Sequence, residues 1–507
     1  MQSTVAFFTK NRLPIIKLPC TFKTSASTTS AIGAVVVLLC LLLLSGITPS
    51  SYAQERKPNI IFILADDLGY GDLSCYGQKR FTTPHIDRLA TEGMKFTNHY
   101  SGAPVCAPSR SALMTGLHTG HTFIRGNKEV MPEGQWPLPG DAQTMLKMFK
   151  SAGYITGVFG KWGLGSPGSE GAPERQGVDN FFGYNCQRLA HNYYPAHLWE
   201  NDRKIPLAGN RGAAKGDYAP SLIHEKAMAF LETNKDKPFF LFYPMVIPHA
   251  ELAAPEEYMS RFRGKFSPEK KFDGVDAGEQ NYQTGGYGSQ DEPHAAYAAM
   301  ITLMDDQVGD VMKKVAALGL DENTLIIFTS DNGPHVEGGA DPEYFDSNGI
   351  LRGFKRDLFE GGIRVPMIAR WSGVITGATV SEHISAFWDV MPTFADVLNI
   401  KTHKTDGISF LPALKGDTRR QQQHKHLYWE FHEQGGRRAL RQGDWKLVQY
   451  DWNKDVPARF QLYNLRTDPS ETKDVAETFP ERVNSLKAVM IREHVPSQAF
   501  PLAAEKQ

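Results

Sequence analysis

At 507 residues the chain is too long for a single small core and fits one large α/β domain with a smaller appendage. Its 55 basic and 56 acidic side chains leave a formal net charge of -1, which gives no argument for binding nucleic acid or anionic surfaces in general, so anion recognition has to be local. Residues 1–53 stand apart from the fold. Lys10, Arg12, Lys17 and Lys23 precede an uncharged apolar run over 31–47, and Ser51-Tyr52-Ala53 ends in a small residue before Gln54. This order is that of a cleaved secretory signal, so the mature chain is expected in the periplasm or outside the cell. A retained membrane anchor is the alternative, because a run of about 17 residues is near the lower limit for spanning a bilayer. Cys40 lies inside the run, which argues against a lipid-modified terminus. Cys20 and Cys40 leave with the leader; Cys75, Cys106 and Cys186 remain, so at most one disulfide can form, with Cys75–Cys186 one pairing open to an exported protein.

Residues 59–64 are an Ile-rich apolar run with the length of a buried parallel strand. The run ends in Ala65-Asp66-Asp67, two adjacent carboxylates where open α/β sheets place ligands. Their repulsion is costly unless a cation lies between them, and hard oxygens suit Ca2+ or Mg2+; a solvated turn with an Asp helix cap is the alternative. A helix follows at 84–93, with Ile86, Leu89 and Ala90 on one face. Pro108 and the helix formers Ala112, Leu113 and Met114 place Cys106 at another helix start, where free N–H groups favour an anionic substrate or a developing oxyanion. An inert buried thiol is the other reading of that position.

Helix 141–152 leads to strand 154–159, ending in Gly160-Lys161-Trp162. Residues 167–199 read as a long Gly- and aromatic-rich insertion. Within it Gln187-Arg188, His191, Asn192 and Trp199 offer the aromatic faces and the amide, His and Arg donors that suit a carbohydrate, or else belong to a packed surface loop. Helix 221–233 and strand 238–245 lead to Ile247-Pro248-His249, and 264–292 is a polar loop over the site. Helix 295–318 precedes a buried strand at 324–329 and Ser330-Asp331-Asn332-Gly333, a second Asp with an amide neighbour at a second strand end. After 365–371 and a helix at 387–398, a polar stretch near 415–425 separates a catalytic domain, 54–420, from a C-terminal subdomain, 421–507. There 426–430, 438–440, 445–449 and 460–465 read as short strands and 480–494 as a helix. His432 and Arg437 belong either to the site mouth or to exposed loops.

Cys106-Ala107-Pro108-Ser109-Arg110 resembles the C-x-P-S-R signature of the type I, arylsulfatase-like sulfatases of the alkaline phosphatase superfamily, and the resemblance runs from about residue 57 to the C-terminus. It implies an α/β fold with a large central, mostly parallel sheet flanked by helices and a smaller C-terminal antiparallel-sheet subdomain. It also implies conversion of Cys106 to Cα-formylglycine by a formylglycine-generating or sulfatase-maturating enzyme. Asp66, Asp67, Asp331 and Asn332 match the family's metal ligands residue by residue, and a group from position 106 completes a Ca2+ or Mg2+ cage. Residues 153–161 resemble the second sulfatase signature, whose Lys, here Lys161, binds sulfate. Leu351-Arg352-Gly353-Phe354-Lys355 supplies a second such Lys, Lys355. Arg110 is expected to hold residue 106 in place, His249 to contact sulfate or protonate the leaving oxygen, and Arg364 to order a turn. In one departure, the His usual two residues after the first Lys is here Gly163. That His handles the proton on the formylglycine hydroxyl, and His118, His121 and His191 are the unranked candidates to replace it.

The resemblance thus implies an exported sulfatase. A sulfate monoester spreads one negative charge over three oxygens, and a divalent cation with placed Lys and Arg groups withdraws that charge and exposes sulfur to attack. Residues 167–199 lean towards a sulfated sugar, without fixing the sugar, the position, or endo or exo action. The alternatives are a phosphodiesterase or phosphonate monoester hydrolase of the same superfamily, and a non-enzymatic sulfoglycan-binding protein, the last motivated by Gly163.

Overall fold

The computed structural model describes residues 57–131 and 133–505, and the leader expected over 1–53 lies outside them. Strand β1 (Asn59–Ala65) is buried at every position. Ile60, Phe62 and Leu64 join the apolar layer on one side of the sheet, Ile61 and Ile63 the layer on the other, which is why the run shows no polar alternation. β1 lies in parallel between β7 (Phe239–Pro244) and β8 (Thr324–Ser330); β7 pairs in parallel with β3 (Ile155–Lys161), and β3 with β4 (Asn180–Tyr184). Beyond β8 the sheet continues through β9 (Arg364–Trp371), antiparallel to β8, and β2 (Met94–Tyr100), antiparallel to β9; beyond β4 it continues through β5 (His197–Glu200) and β6 (Arg203–Pro206), each antiparallel to the strand before it. β10 (Thr379–Ser381) and β11 (Ser385–Ala386) pair in parallel with β2.

Helices α1 (Pro84–Glu92), α4 (Ala219–Asn234) and α5 (Pro293–Ala317) cover one face of the sheet. The other face packs against α2 (Cys106–Thr115), α3 (Met145–Ser151) and α6 (Val390–Val397). A second sheet, in the order β12 (Leu427–Phe431), β13 (Arg437–Gln442), β14 (Trp445–Tyr450), β15 (Arg459–Asn464), is wholly antiparallel. Trp429, Phe431, Ala439 and Val448 on one of its faces pack with Tyr100, Val105 and Trp388, so the sheet rests against the segment leading into α2. Its other face, through Tyr428, Leu440, Leu447 and Leu462, is covered by Leu486, Val489 and Met490 of α7 (Pro480–Glu493). This is the expected class: a mostly parallel central sheet flanked by helices, with a separate antiparallel sheet. Among the described residues no helix is long and apolar enough to cross a membrane.

Three expectations change in detail. The helix expected over 141–152 starts at Met145, because Thr144 is extended and its Oγ1 accepts the N–H of Lys147 at 3.3 Å. The helix expected over 387–398 opens with a 3-10 turn, Phe387–Asp389, before α6. The segment 167–199 is not simply an insertion, since β4 and β5 within it continue the central sheet. Gly183 within it serves close packing: it faces Gly160 of β3 in the β3–β4 register, where a Cβ on Gly183 would lie 2.0 Å from the Gly160 carbonyl oxygen and one on Gly160 1.8 Å from the Pro244 carbonyl oxygen of β7. Cys75, Cys106 and Cys186 are all free thiols.

Candidate functional site

The carboxyl ends of the central parallel strands carry the chemistry-bearing residues to one edge of the sheet. β1 delivers Asp66 and Asp67, β8 Asp331 and Asn332, β3 Lys161 as its last residue, and β7 leads to His249. α2 brings Cys106 against them as its first residue. The helix is buried along its whole length and fixed to the end of β8: Ser109 Oγ donates to the Asp331 carbonyl at 2.6 Å and accepts the N–H of Gly102 at 3.0 Å. Arg110 Nε and Nη2 reach Asp331 Oδ2 at 3.0 and 2.7 Å, Nη2 lies 3.3 Å from Asp66 Oδ2, and Nη1 donates to the Lys161 carbonyl.

Cys106 Sγ lies 3.3 Å from Asp66 Oδ1 and 3.5 Å from Lys161 Nζ, and that amine donates to Asp66 Oδ2 at 2.6 Å. Lys355 Nζ donates to Asp67 Oδ2 at 2.8 Å, approaches His249 Nε2 at 3.0 Å and meets Glu337 Oε2 at 3.2 Å. Asp67 adopts a left-handed φ of +65°, a strained conformation for a residue with a side chain, held by its N–H donating to Asp331 Oδ1 at 3.1 Å. Three carboxylates and three cationic side chains therefore share a space closed to water.

The electrostatics follow from that crowding. Burial raises the Asp66 carboxyl, but Lys161 and Arg110 pull it down to about 2; burial likewise raises Asp67, and Lys355 pulls it down to about 2. Asp331 is pushed up to about 7 by burial and by the charge of Asp66. Burial and Asp66 push the Cys106 thiol well above its ordinary value, so the unconverted side chain stays a thiol and a poor nucleophile. Burial and then Lys355 hold His249 well below its usual range, leaving it neutral. Its Nδ1 lies against the Ala250 carbonyl and so carries the proton, which leaves Nε2 as the acceptor facing Lys355.

The donor set fits a hard divalent cation. Ligand atoms of Asp66, Asp67, Cys106 and His249 all lie within 4.8 Å of one another. Asn332 Nδ2 donates to Asp67 Oδ1 at 2.6 Å while Asn332 Oδ1 is buried without a partner among the described residues, an orphaned acceptor beside a surplus of carboxylate charge.

The other expected residues divide. His191 stacks on His249 with ring centroids 5.0 Å apart, and burial followed by Lys161 lowers it to about 4. Its Nδ1 donates to the Gly285 carbonyl at 2.8 Å, leaving Nε2 as a lone-pair acceptor. Asn192 uses its amide to clamp the loop: Nδ2 donates to the Gly286 carbonyl at 3.0 Å and Oδ1 accepts the Gly285 N–H at 2.8 Å. Trp199 sits two strands out from β3, about 10 Å across the sheet, and its Nε1 donates to Glu133 at 2.6 Å. His118 and His121 stack on each other at 4.1 Å beyond Gly116, the end of α2 opposite Cys106, and bond to Glu493 and Asp406. Of the three histidines weighed for the role lost at Gly163, only His191 stands beside the site. His432 faces away, bonded to Glu430 at 2.8 Å and the Phe500 carbonyl at 3.0 Å; Arg437 holds the Arg356 carbonyl at 2.7 Å, and Arg364 Nε the Thr97 carbonyl at 2.7 Å.

Sequence reasoning missed Glu337, Arg356 and Tyr287. Glu337 bridges Lys355 and Arg356, and the Tyr287 ring lies 5.2 Å from His191. A carboxylate six residues past Asp331 and an Arg directly after Lys355 were the available signals for the first two.

A dry cluster of carboxylates and lysines at parallel strand ends, with a helix start aimed into it, defines a hydrolase for anionic esters. The Sulfatase family model matches residues 58–400, and the model of the N-sulphoglucosamine sulphohydrolase C-terminal region matches 352–494. The chain belongs to the sulfatase family and is a sulfuric ester hydrolase. Arylsulfatase A of Homo sapiens is 31% identical over 489 residues, covering 87% of this chain and 88% of that protein. N-acetylgalactosamine-6-O-sulfatase of Bacteroides thetaiotaomicron is 29% identical over 525 residues, covering 86% and 93%. The crystal structure of Ps i-CgsB in complex with k-i-k-neocarrahexaose matches with a TM-score of 0.70 at 27% identity, over 86% of this chain and 92% of its own.

Proposed function

We propose that this chain is an exported enzyme that removes sulfate from a sulfated carbohydrate, using a formylglycine made from Cys106 and a bound divalent cation, Ca2+ or Mg2+. The carrying observation is the position of Cys106: at the first turn of a buried helix, against Asp66 and Lys161, with a thiol too basic to react. A carbohydrate substrate is supported by the N-acetylgalactosamine-6-O-sulfatase relative and the neocarrahexaose complex. Export is supported by the leader over 1–53.

Asp66, Asp67, Asp331 and Asn332 are the residues that would hold the cation, which would withdraw charge from a sulfate oxygen. Converted residue 106 would supply a hydroxyl nucleophile in place of the thiol. Lys161 and Lys355 neutralise the remaining sulfate oxygens. Arg110 is committed to Asp331, Asp66 and the Lys161 carbonyl, so it holds the cage rather than the substrate. Lys355 has a proton to give the departing alcohol, and neutral His249, accepting at Nε2, orients it. His191, with Nε2 free to accept, takes the proton that a His at position 163 would have taken.

The test is release of inorganic sulfate, read by ion chromatography, from sulfated N-acetylgalactosamine and sulfated galactan oligosaccharides. Release by the wild-type chain and none by Cys106→Ala is the expected result. Release from aryl sulfates alone would contradict the carbohydrate assignment.

A further inference from the structure

Gly163 leaves room for one particular neighbour. It lies two residues beyond Lys161 with a φ of +72°, and its N–H donates to the Asn185 carbonyl at 3.0 Å. A Cβ at this position would fall 2.3 Å from Gln187 Nε2 and 3.2 Å from its Cδ. The amide of Gln187 therefore fills the space that any side chain at 163 would need.

That amide is placed without a protein partner. Gln187 is 5% exposed, and its Nε2 is shut off from solvent with no acceptor among the described residues; neighbouring Asn185, 1% exposed, likewise has an unpaired Oδ1. A buried donor without a partner is costly in a folded protein and calls for a ligand, ion or water to complete it. Backbone bonds tie the segment on both sides of Gln187: the Gly163 N–H donates to the Asn185 carbonyl at 3.0 Å, the His191 N–H to the Arg188 carbonyl at 3.2 Å, and the Leu189 N–H reaches Cys186 Sγ at 3.4 Å. The amide is thus held in place beside the end of β3, whose last residue is Lys161.

We propose that Gln187 is a substrate-binding residue whose Nε2–H donates to an oxygen of the sulfate group held by Lys161, and that Gly163 is glycine so that this amide can reach it. The inference rests on the sulfatase reading above. A neutral donor suits this position: the site already holds three cationic side chains, and every exposed oxygen of a sulfate monoester is an acceptor.

The experiment is calorimetric titration of inorganic sulfate into the calcium-loaded enzyme, with conversion at position 106 checked by mass, for wild type, Gln187→Leu and Gln187→Glu. Loss of the donor in Gln187→Leu is expected to weaken sulfate binding about tenfold, and Gln187→Glu, which puts an anion against the anion, to weaken it further. Gln187→Leu should keep the wild-type thermal midpoint or exceed it, because Nε2 makes no protein bond to lose. A wild-type sulfate affinity in Gln187→Leu, or a lowered midpoint with unchanged affinity, overturns the proposal and leaves the sulfatase reading intact. A converted wild-type enzyme that binds no sulfate overturns both.

Discussion

At the level of single side chains, Lys161 and Lys355 separate binding from structure least ambiguously. Each is buried beside an Asp it neutralises, and both are held above the ordinary lysine range, Lys161 against its own burial by Asp66 and Lys355 by Asp67. Lys355→Ala is expected to lower kcat/KM by about 10²–10³, the usual cost of removing one donor to a developing charge. Steady-state kinetics check this; a loss under threefold would remove Lys355 from the reaction. The carboxylates argue for a second test. Asp331 is driven up by burial and by Asp66, so chelation with EDTA should lower the thermal midpoint and Ca2+ restore it. The gain is about 2.7 kcal/mol at a hundredfold excess over Kd.

Much of this set was readable in advance, because Asp66, Asp67, Lys161, Asp331 and His249 each lie at or just past an apolar strand, and strand ends converge in an open parallel sheet. Gln187 read only as one amide donor among several in 167–199, and Glu337 and Arg356 left only faint signals, because what fixes their roles comes from neighbours elsewhere in the chain, Gly163, Lys355 and one another. Asn192 and Trp199 looked like sugar contacts by type. Partners at Gly285, Gly286 and Glu133, which no local pattern announces, occupy their polar groups.

At the level of elements, α2 is the part on which the site turns. Its Pro108 and the helix formers Ala112, Leu113 and Met114 made the helix visible in the sequence, and Gly116, left-handed at φ +68°, closes it onto Ala112. Its anchoring was not visible, since Ser109 looks like an ordinary helix-start polar residue yet joins Asp331 to Gly102 across a buried junction. Ser109→Ala should destabilise the fold by about 1–3 kcal/mol in urea denaturation, because a buried carbonyl and a buried N–H lose their partner together. The glycines of 160–183 carry the complementary lesson. Gly183 read as part of an insertion, but with Gly160 it allows β3, β4 and β7 to approach closely.

At the scale of the whole molecule, the second sheet is tied to the first by buried charge. Lys446 Nζ contacts Glu360 at 2.9 Å and Glu471 at 3.0 Å, all three closed to solvent, and Tyr100 donates to Glu360 at 2.6 Å. Lys446→Met would leave two carboxylates facing each other and should cost about 3–5 kcal/mol of stability. A cluster at Glu430 ties the C-terminal tail to the rest: His432 at 2.8 Å, His494 at 2.7 Å and Arg125 at 3.4 Å converge on it, and Arg125 also holds the Val495 carbonyl. Burial raises the Glu430 carboxyl, but His432, His494 and Arg125 pull it down to about 2 from 4.5. A depressed carboxyl stabilises the fold above its unfolded value and loses that contribution as pH falls through the folded one. On the order of 3 kcal/mol should therefore disappear between pH 4.5 and 2, and Glu430→Gln should flatten that acid limb. Thermal midpoints across this range measure it directly.

The central claim is that position 106 is a converted residue and not a cysteine. The mass of the peptide spanning 101–110, from protein expressed with a sulfatase-maturing enzyme, decides it. Exchange of the thiol for an aldehyde makes the peptide about 18 Da lighter, whereas ordinary cysteine oxidation adds oxygen. The account predicts the lighter peptide in enzyme that releases sulfate. An unmodified thiol in protein that still releases sulfate would contradict it.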